Sequence, residues 1–512
     1  MIVVYNEFDN KPQFNIEQPI IPLIANNHWF LFSFDRRSVY FGYWMAIEKK
    51  FYKIVEKINI YEDIKKIEII NEKKIVLITK NNKINLFLDS QGFNLTAEKY
   101  ILLDIDFDFR KIYETEIKNI NFNIISQNNS FVIFFDNLDV NVFFEGNLSY
   151  INQKIYVNYD YDLKRKSNFY QNEIYKLFKG WVINLKIFSS QKKIEKNIEI
   201  NYENNLKNFI IKRIFSLYST SQGFRAGLPW FPQRWFRDEL ISLLFLDNNF
   251  DKSKIIYFYL ENLEEIWNRN REDNYILAVD TLPLLIVNLE NKIIEEKKDF
   301  LICLLRKWEN LFNFYQDNLP PQSTWMDTIE RKRAIEIDFL YYLSLLRLGL
   351  MNEAKKFKIF IKNKIFTNNY PQDEFLRPNL FFVYFLDKNF FNREQWIDFF
   401  DNLMANNYLE WGGFSSISKF NPNFIKNYSG ELPYSYHQGD SWFWLNNLAY
   451  YALNDLNYDN KYYLKISKAV MKNLFKMGVP GYISELSSAE NLTYEGSPIQ
   501  LWSLTSLFYN LK

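Results

Sequence analysis

The stretch Asn392-Arg-Glu-Gln-Trp396-Ile397-Asp-Phe-Phe400-Asp-Asn-Leu403-Met404-Ala-Asn-Asn407 decides how the C-terminal part of the chain is read. Trp396, Ile397, Phe400, Leu403 and Met404 recur at three- and four-residue steps, which collects them on one face of a helix. The stretch 251–267 repeats the pattern with Ile256, Tyr259, Leu260, Leu263 and Ile266. Segments of the same kind follow at 338–348, 351–362, 441–454 and 461–475. From residue 206 onward there is room for about twelve ordinary helices with their loops. A closed double ring of helices fits that length, and so does an open solenoid.

Before residue 190 the period is two. Ile75–Ile78 and Ile84–Leu88, joined through Asn81-Asn82, read as a hairpin. Phe131–Phe135 and Val140–Phe144, joined through Asp136–Asp139, read as another, and Gly180–Phe188 reads as a closing strand. Many short strands in one block predict a β-sandwich. The polar run 190–205 predicts a linker or an exposed helix. The expected domains are therefore a β-sandwich over 1–195 and a helical domain over 206–512.

Composition narrows the function. The chain has 512 residues and a formal net charge of +1, without the basic excess of a nucleic-acid or anionic-membrane binder. His28 and His437 are the only histidines and Cys303 the only cysteine, which excludes intrachain disulfides, cysteine-cluster zinc sites and His-rich metal sites. With 14 glycines and no P-loop or G-x-G-x-x-G, no nucleotide cradle is expected. Chemistry on carboxylates, with no cofactor and no metal, is what remains. No apolar run reaches the length of a membrane span, and the N-terminus lacks a signal-type apolar core, so a soluble cytoplasmic protein is expected. Aromatic residues make up 19%, including 13 Trp. A Phe and Tyr excess follows from AT-rich coding, but the Trp codon is not AT-rich. Trp suits stacking against a sugar ring as well as core filling.

Four clusters between helices hold the unusual residues, where binding groups tend to sit. The first is Ala226-Gly-Leu-Pro-Trp230-Phe-Pro-Gln-Arg-Trp235-Phe-Arg237-Asp238. It reads either as a Pro-rich approach to a helix capped by Asp238 or as a sugar-binding floor. The second is Ser323-Thr-Trp325-Met-Asp327, followed by Arg331-Lys-Arg-Ala-Ile-Glu336. A Trp beside Asp327 is the apolar neighbour that raises a carboxyl pKa and suits a general acid. The third is Tyr434-Ser-Tyr436-His437-Gln438-Gly-Asp440-Ser-Trp442-Phe-Trp444, with a histidine among aromatics. The fourth joins Gly481-Tyr-Ile-Ser-Glu485 to Glu495-Gly-Ser-Pro-Ile-Gln500-Leu-Trp502-Ser503. Each taken alone also has a plain structural reading as a loop or a cap.

Together, in this order, the clusters resemble the amylo-α-1,6-glucosidase part of glycogen debranching enzymes, and more remotely the glucoamylases. The matching strings are GLPWFPQRWFRD, TWMD with AIEI, YHQGDSWFW, and ISEL with QLWS; Asn268-Arg269 with Ala278-Val-Asp280 adds a fifth. Phe236 stands where that family has Gly, and the loop between TWMD and AIEI is short and basic. The resemblance implies an N-terminal β-sandwich followed by an (α/α)6 barrel. It also implies inverting, exo-acting release of glucose from α-1,6 branch stubs of glycogen or limit dextrin. By motif position, Asp327 becomes the general acid, with Glu336 in reserve, and Glu485 the general base. Trp235, Arg237 and Asp238 would hold the terminal glucose. Asp280, Trp325, Glu336, His437, Gln438, Trp442 and Trp444 would line the pocket. The implied partner is a glucan or oligosaccharide, with no nucleic acid and no membrane; oligomeric state is left open. A glucoamylase- or trehalase-like exo-glucosidase, or an inactive carbohydrate-binding relative, are the alternatives.

Overall fold

The computed structural model describes residues 2–7, 11–16, 19–25, 28–34, 37–38, 40–47, 50–111, 122–127, 130–135, 141–159, 171–190, 205–219, 223–246, 250–261, 278–314, 319–367, 372–430 and 435–511. The run 191–204, the turn 136–139, Leu263, Ile266, Asn268, Arg269 and Tyr434 lie outside the described residues. The chain forms two compact units. One comprises Met1–Pro232 with Asn473–Tyr482, the other Gln233–Lys472 with Ile483–Lys512.

The first unit is rich in sheet. Both expected hairpins form. Lys74–Ile78 pairs antiparallel with Lys83–Leu88, and Ser130–Phe135 with Asn141–Glu145. The turn of the first is tied by Thr79, whose hydroxyl accepts from the Asn82 and Asn81 amides. Alternation then buries Ile84, Leu86 and Leu88 on one face. Two long strands, Gly92–Phe107 and Gln171–Ser189, run antiparallel through the larger sheet and organise it. That sheet is mixed, because Ile2–Tyr5 pairs parallel with Lys66–Asn71. A second sheet orders Arg110–Lys111, Lys50–Val55, Gly42–Ile47, His28–Phe32 and Ile21–Ile24. The helix Leu206–Ser216 belongs to the same unit, capped by the Asn205 side chain on the Asn208 amide.

The second unit is helical. The stretch that opened the sequence reading becomes Arg393–Asn407, begun by a reciprocal capping box between Asn392 and Gln395. Trp396, Phe400 and Leu403 are buried, while Ile397 and Met404 at the edge of the stripe are half-buried. Helix Asn291–Phe314 is amphipathic in the same way, burying Ile293, Ile294, Leu301, Leu304, Leu305 and Trp308. Other helices are buried nearly all round, as Asn379–Leu386 (NLFFVYFL) illustrates. This difference sorts inner from outer positions. Phe236–Phe245, Thr281–Asn288, Ile335–Arg347, Asn379–Leu386, Phe443–Asp455 and Leu501–Asn510 each pack against the next, and the last packs against the first. The described residues thus contain a closed ring of helices. No described helix is long and apolar enough to cross a membrane.

Candidate active site

The motif residues gather at the N-terminal ends of the ring helices. Trp235 precedes Phe236–Phe245, and Arg237 and Asp238 lie in its first turn. Asp280 precedes Thr281–Asn288, and Glu336 sits in the first turn of Ile335–Arg347. Trp442 precedes Phe443–Asp455, and Gln500 precedes Leu501–Asn510. Helix N-termini carry unpaired amides and positive partial charge, which favours acidic side chains there.

Arg237 joins several of these ends. Its Nε donates to Asp280 Oδ2 at 2.6 Å, one Nη donates to the Gln322 carbonyl at 2.9 Å, and the other lies 3.8 Å from Asp327 Oδ2. Asp280 is buried, and its Oδ1 has no hydrogen-bond partner among the described residues. Gln500 donates to Asp238 Oδ1 at 3.2 Å. Burial pushes the Asp238 carboxyl up to about 7 against the pull of Arg237, and the charge of Asp327 adds to the rise.

That shift makes a testable contribution to stability. Between the ordinary carboxyl value of 3.8 and about 7, the folded state holds a proton on Asp238 that the unfolded state has released. Stability therefore falls as pH rises through this window and levels off above it. Asp238→Asn removes the contribution. Melting temperatures at pH 5 and pH 8 are expected to differ less in the variant than in the parent.

Asp327 lies in the loop closed by paired backbone hydrogen bonds between Leu319 and Arg331. Its side chain is 31% exposed. His437 Nε2 lies 3.3 Å from Asp327 Oδ1. The expectation that Trp325 keeps this carboxyl protonated is not met. Burial does raise it, but the hydrogen bond with His437 and the charge of Arg237 pull its pKa below the usual value. Burial in turn lowers the pKa of His437, favouring the neutral ring. The His437 ring stacks on Trp442 at 4.9 Å with an interplanar angle of 7° and meets Trp325 edge-on at 5.3 Å.

Glu485 is almost completely buried. Its Oε1 accepts from the Tyr436 hydroxyl at 2.7 Å and its Oε2 from the Ser497 amide at 2.9 Å. Its own backbone N–H donates to the Ser497 carbonyl at 2.8 Å. Both oxygens and the backbone are thus fixed. The bridge between Ser441–Trp442 and Leu486–Ser487 holds the histidine loop beside this glutamate. Gly496 allows the arrangement. Its φ is +64°, and a Cβ there would stand 2.4 Å from Glu485 Oε2 and 2.9 Å from Glu485 Cβ. Gly496→Ala must displace the carboxylate, so kcat is expected to fall by about 100-fold in a chain that still melts cooperatively. Activity measured beside a thermal melt checks this.

The remaining sequence candidates divide. Trp325 and Trp442 lie against each other and against His437. Trp235 is 41% exposed, as a stacking platform requires. Gln438 is half-buried, and its backbone carbonyl accepts from Ile425. Trp444 is fully buried among Phe245, Phe382, Trp325 and Trp502. Glu336 is buried with both oxygens on Arg331 and one on Asn379, and these partners outweigh burial and lower its pKa. The two arginines of the basic run clamp the loop from within. Arg331 also bonds Thr324 and Glu374, and Arg333 grips Asp338 with two bonds. Tyr436, Ser497 and Gly496 were not singled out in the sequence. Tyr436 adjoins His437 in the same motif and could have been; the role of Gly496 depends on a fold contact. Among the described residues no group of three His, Cys, Asp or Glu is arranged to hold a metal ion.

This geometry has a counterpart in sequence. Residues 284–509 match the family model for amylo-alpha-1,6-glucosidase. The amylo-alpha-1,6-glucosidase match contains Asp327, Glu336, His437, Gln438, Trp442, Trp444 and Glu485, while Trp235, Arg237, Asp238 and Asp280 precede it. No curated protein matches the chain. In structure it is similar to a bacterial glucoamylase solved in complex with acarbose. The identity is 11% and the TM-score 0.60, and the match covers 97% of this chain and 94% of that one. At that identity the likeness is one of fold. The amylo-alpha-1,6-glucosidase match and this fold together support a glycosidase.

Proposed function

We propose that the protein is an inverting, exo-acting glycoside hydrolase that releases glucose from α-1,6 branch stubs of a glucan. The observation that carries this reading is the dipeptide Tyr436-His437. Tyr436 bonds Glu485 and His437 contacts Asp327, so adjacent residues touch two carboxyl groups 158 positions apart in the chain. In this reading the closed helix ring is the inner ring of an (α/α)6 barrel, preceded by a β-sandwich.

Asp327 protonates the glycosidic oxygen and Glu485 activates the water that attacks the anomeric carbon from the opposite face. Inversion requires a separation of ~6.5–9.5 Å between such groups. A bound sugar would strip water from the exposed part of Asp327 and raise its carboxyl toward the protonated form. Asp327 is preferred to Glu336 as the acid because its side chain is partly exposed, whereas Glu336 is buried with both oxygens held by Arg331 and Asn379. Trp235 stacks on the terminal ring and Arg237, held in place by Asp280, donates to its hydroxyls. Trp325, His437, Gln438 and Trp442 line the wall, while Trp444 supports Trp325 from the core.

A second reading, an exo-glucosidase of α-1,4 linkages, is favoured by the fold shared with the glucoamylase. Glucose release from limit dextrin, linear maltooligosaccharides and trehalose tests both. Fastest release from limit dextrin supports the first reading, fastest release from the linear series supports the second, and release from none refutes both.

A further inference from the structure

The sheet-rich unit carries a row of side chains that packing does not explain. On Gln171–Ser189, Trp181 is opposite Leu102 of Gly92–Phe107. On the far side of that strand, the Tyr61 amide donates to the Leu102 carbonyl at 3.0 Å, continuing the register that pairs Leu103 with Ile60. Residues opposite one another in antiparallel strands share a face. Trp181 and Tyr61 therefore point from the same face with one strand between them. They are 56% and 54% exposed, with half-buried Leu102 forming a shallow floor. Two strand spacings set the backbones that carry them about 9.5 Å apart.

The next row is Lys179, Asp104 and Asn59. Asp104 accepts from the Tyr61 hydroxyl at 2.5 Å, from Asn59 at 2.6 Å and from Lys176 at 2.9 Å. The tie between Tyr61 and Asp104 reaches along the sheet, so the ring lies over the surface instead of standing off it. A recess of about 360 Å³ adjoins it, lined by Phe34, Lys57, Asn59, Tyr61, Glu62 and Asp63. Several of the charges around this face are held within it. Lys176 meets Asp104, Arg37 meets Asp106, and Lys57 donates to the Phe34 carbonyl. Such balance suits an uncharged ligand and offers no stripe of cations for phosphates.

We propose that this face is a second carbohydrate site, which binds an uncharged glucan chain across Trp181 and Tyr61 with one sugar unit seated in the recess. Flat aromatic faces set apart across one strand suit the apolar faces of sugars in a linear chain, and the polar row beside them suits the hydroxyls. The ligand class rests on the hydrolase reading above; the site does not require that the enzyme be active.

Affinity electrophoresis through gels containing glycogen tests it, using the full chain as wild type, Asp327→Asn, Trp181→Ala/Tyr61→Ala and Trp181→Tyr. Retardation is expected in wild type and in Asp327→Asn. It should weaken by roughly tenfold in apparent affinity in the double alanine variant. Trp181→Tyr, which keeps a ring, should recover most of it. Hydrolysis of a short branched oligosaccharide by the double variant should match wild type. Wild-type chain that is not retarded, or a double variant retarded equally, overturns the proposal. Retardation lost with the rings in a chain that cleaves nothing would uphold this site and sink the hydrolase reading. Equal retardation in a chain that still cleaves would do the reverse.

Discussion

Glu485→Gln is expected to lower kcat for glucose release by at least about 1,000-fold, with KM changed little. The side chain is nearly isosteric; its amide oxygen can accept from the Ser497 amide while its NH2 donates to the Tyr436 hydroxyl, so the loop stays in place. What disappears is the only atom in the account able to take a proton from the attacking water. Tyr436→Phe separates positioning from chemistry. It leaves the carboxylate and deletes one of its donors, and a fall of about tenfold is expected. If Glu485→Gln keeps more than a tenth of the wild-type rate, the general base lies elsewhere.

Asp327→Asn is expected to cost about 100- to 10,000-fold on a natural glucan, where the leaving alkoxide needs a proton. The loss should be much smaller on α-glucosyl fluoride, whose leaving group needs none, whereas Glu485→Gln should stay inactive on both substrates. This contrast assigns the two roles separately. Equal losses on both substrates would remove the acid role from Asp327. The pH dependence has a defined sign. Asp327 begins below the usual carboxyl range in the free chain, so kcat/KM should decline as pH rises even on the acid side of neutrality. Replacing His437 with Asn removes the group chiefly responsible for that depression and should move the decline to higher pH.

Much of this site could be read in the sequence because its residues lie in compact strings. Asp327, His437 and Glu485 were each marked by aromatic, proline or glycine neighbours. The change of hydrophobic period from two to 3.6 separated strand from helix. Arg393–Asn407 shows why the helical reading works, since its buried stripe is a local property of the chain. The electrostatics were not local. The Trp325-Asp327 neighbourhood suggested a raised carboxyl pKa, but the deciding partners, His437 and Arg237, arrive from 110 and 90 positions away. Glu336 was held in reserve as an acid, yet the fold turns Arg331 onto it and onto Glu374. Trp444 carried the same motif signature as Trp442, and both are buried, but Trp442 stacks on His437 before the helix begins whereas Trp444 packs among Phe245, Phe382 and Trp502. The parallel pair formed by Ile2–Tyr5 and Lys66–Asn71 was equally hidden, since a strand's partner is not written in its own alternation.

In the proposed reaction Asp327 and Glu485 act on opposite faces of one glucosyl ring. The anomeric proton region of a one-dimensional NMR spectrum, recorded during the first minutes of limit-dextrin hydrolysis, tests it most directly. β-Glucose is expected to appear first and to mutarotate afterwards to the α form. α-Glucose appearing first would contradict it, because retention requires a covalent intermediate that a water-activating Glu485 does not form.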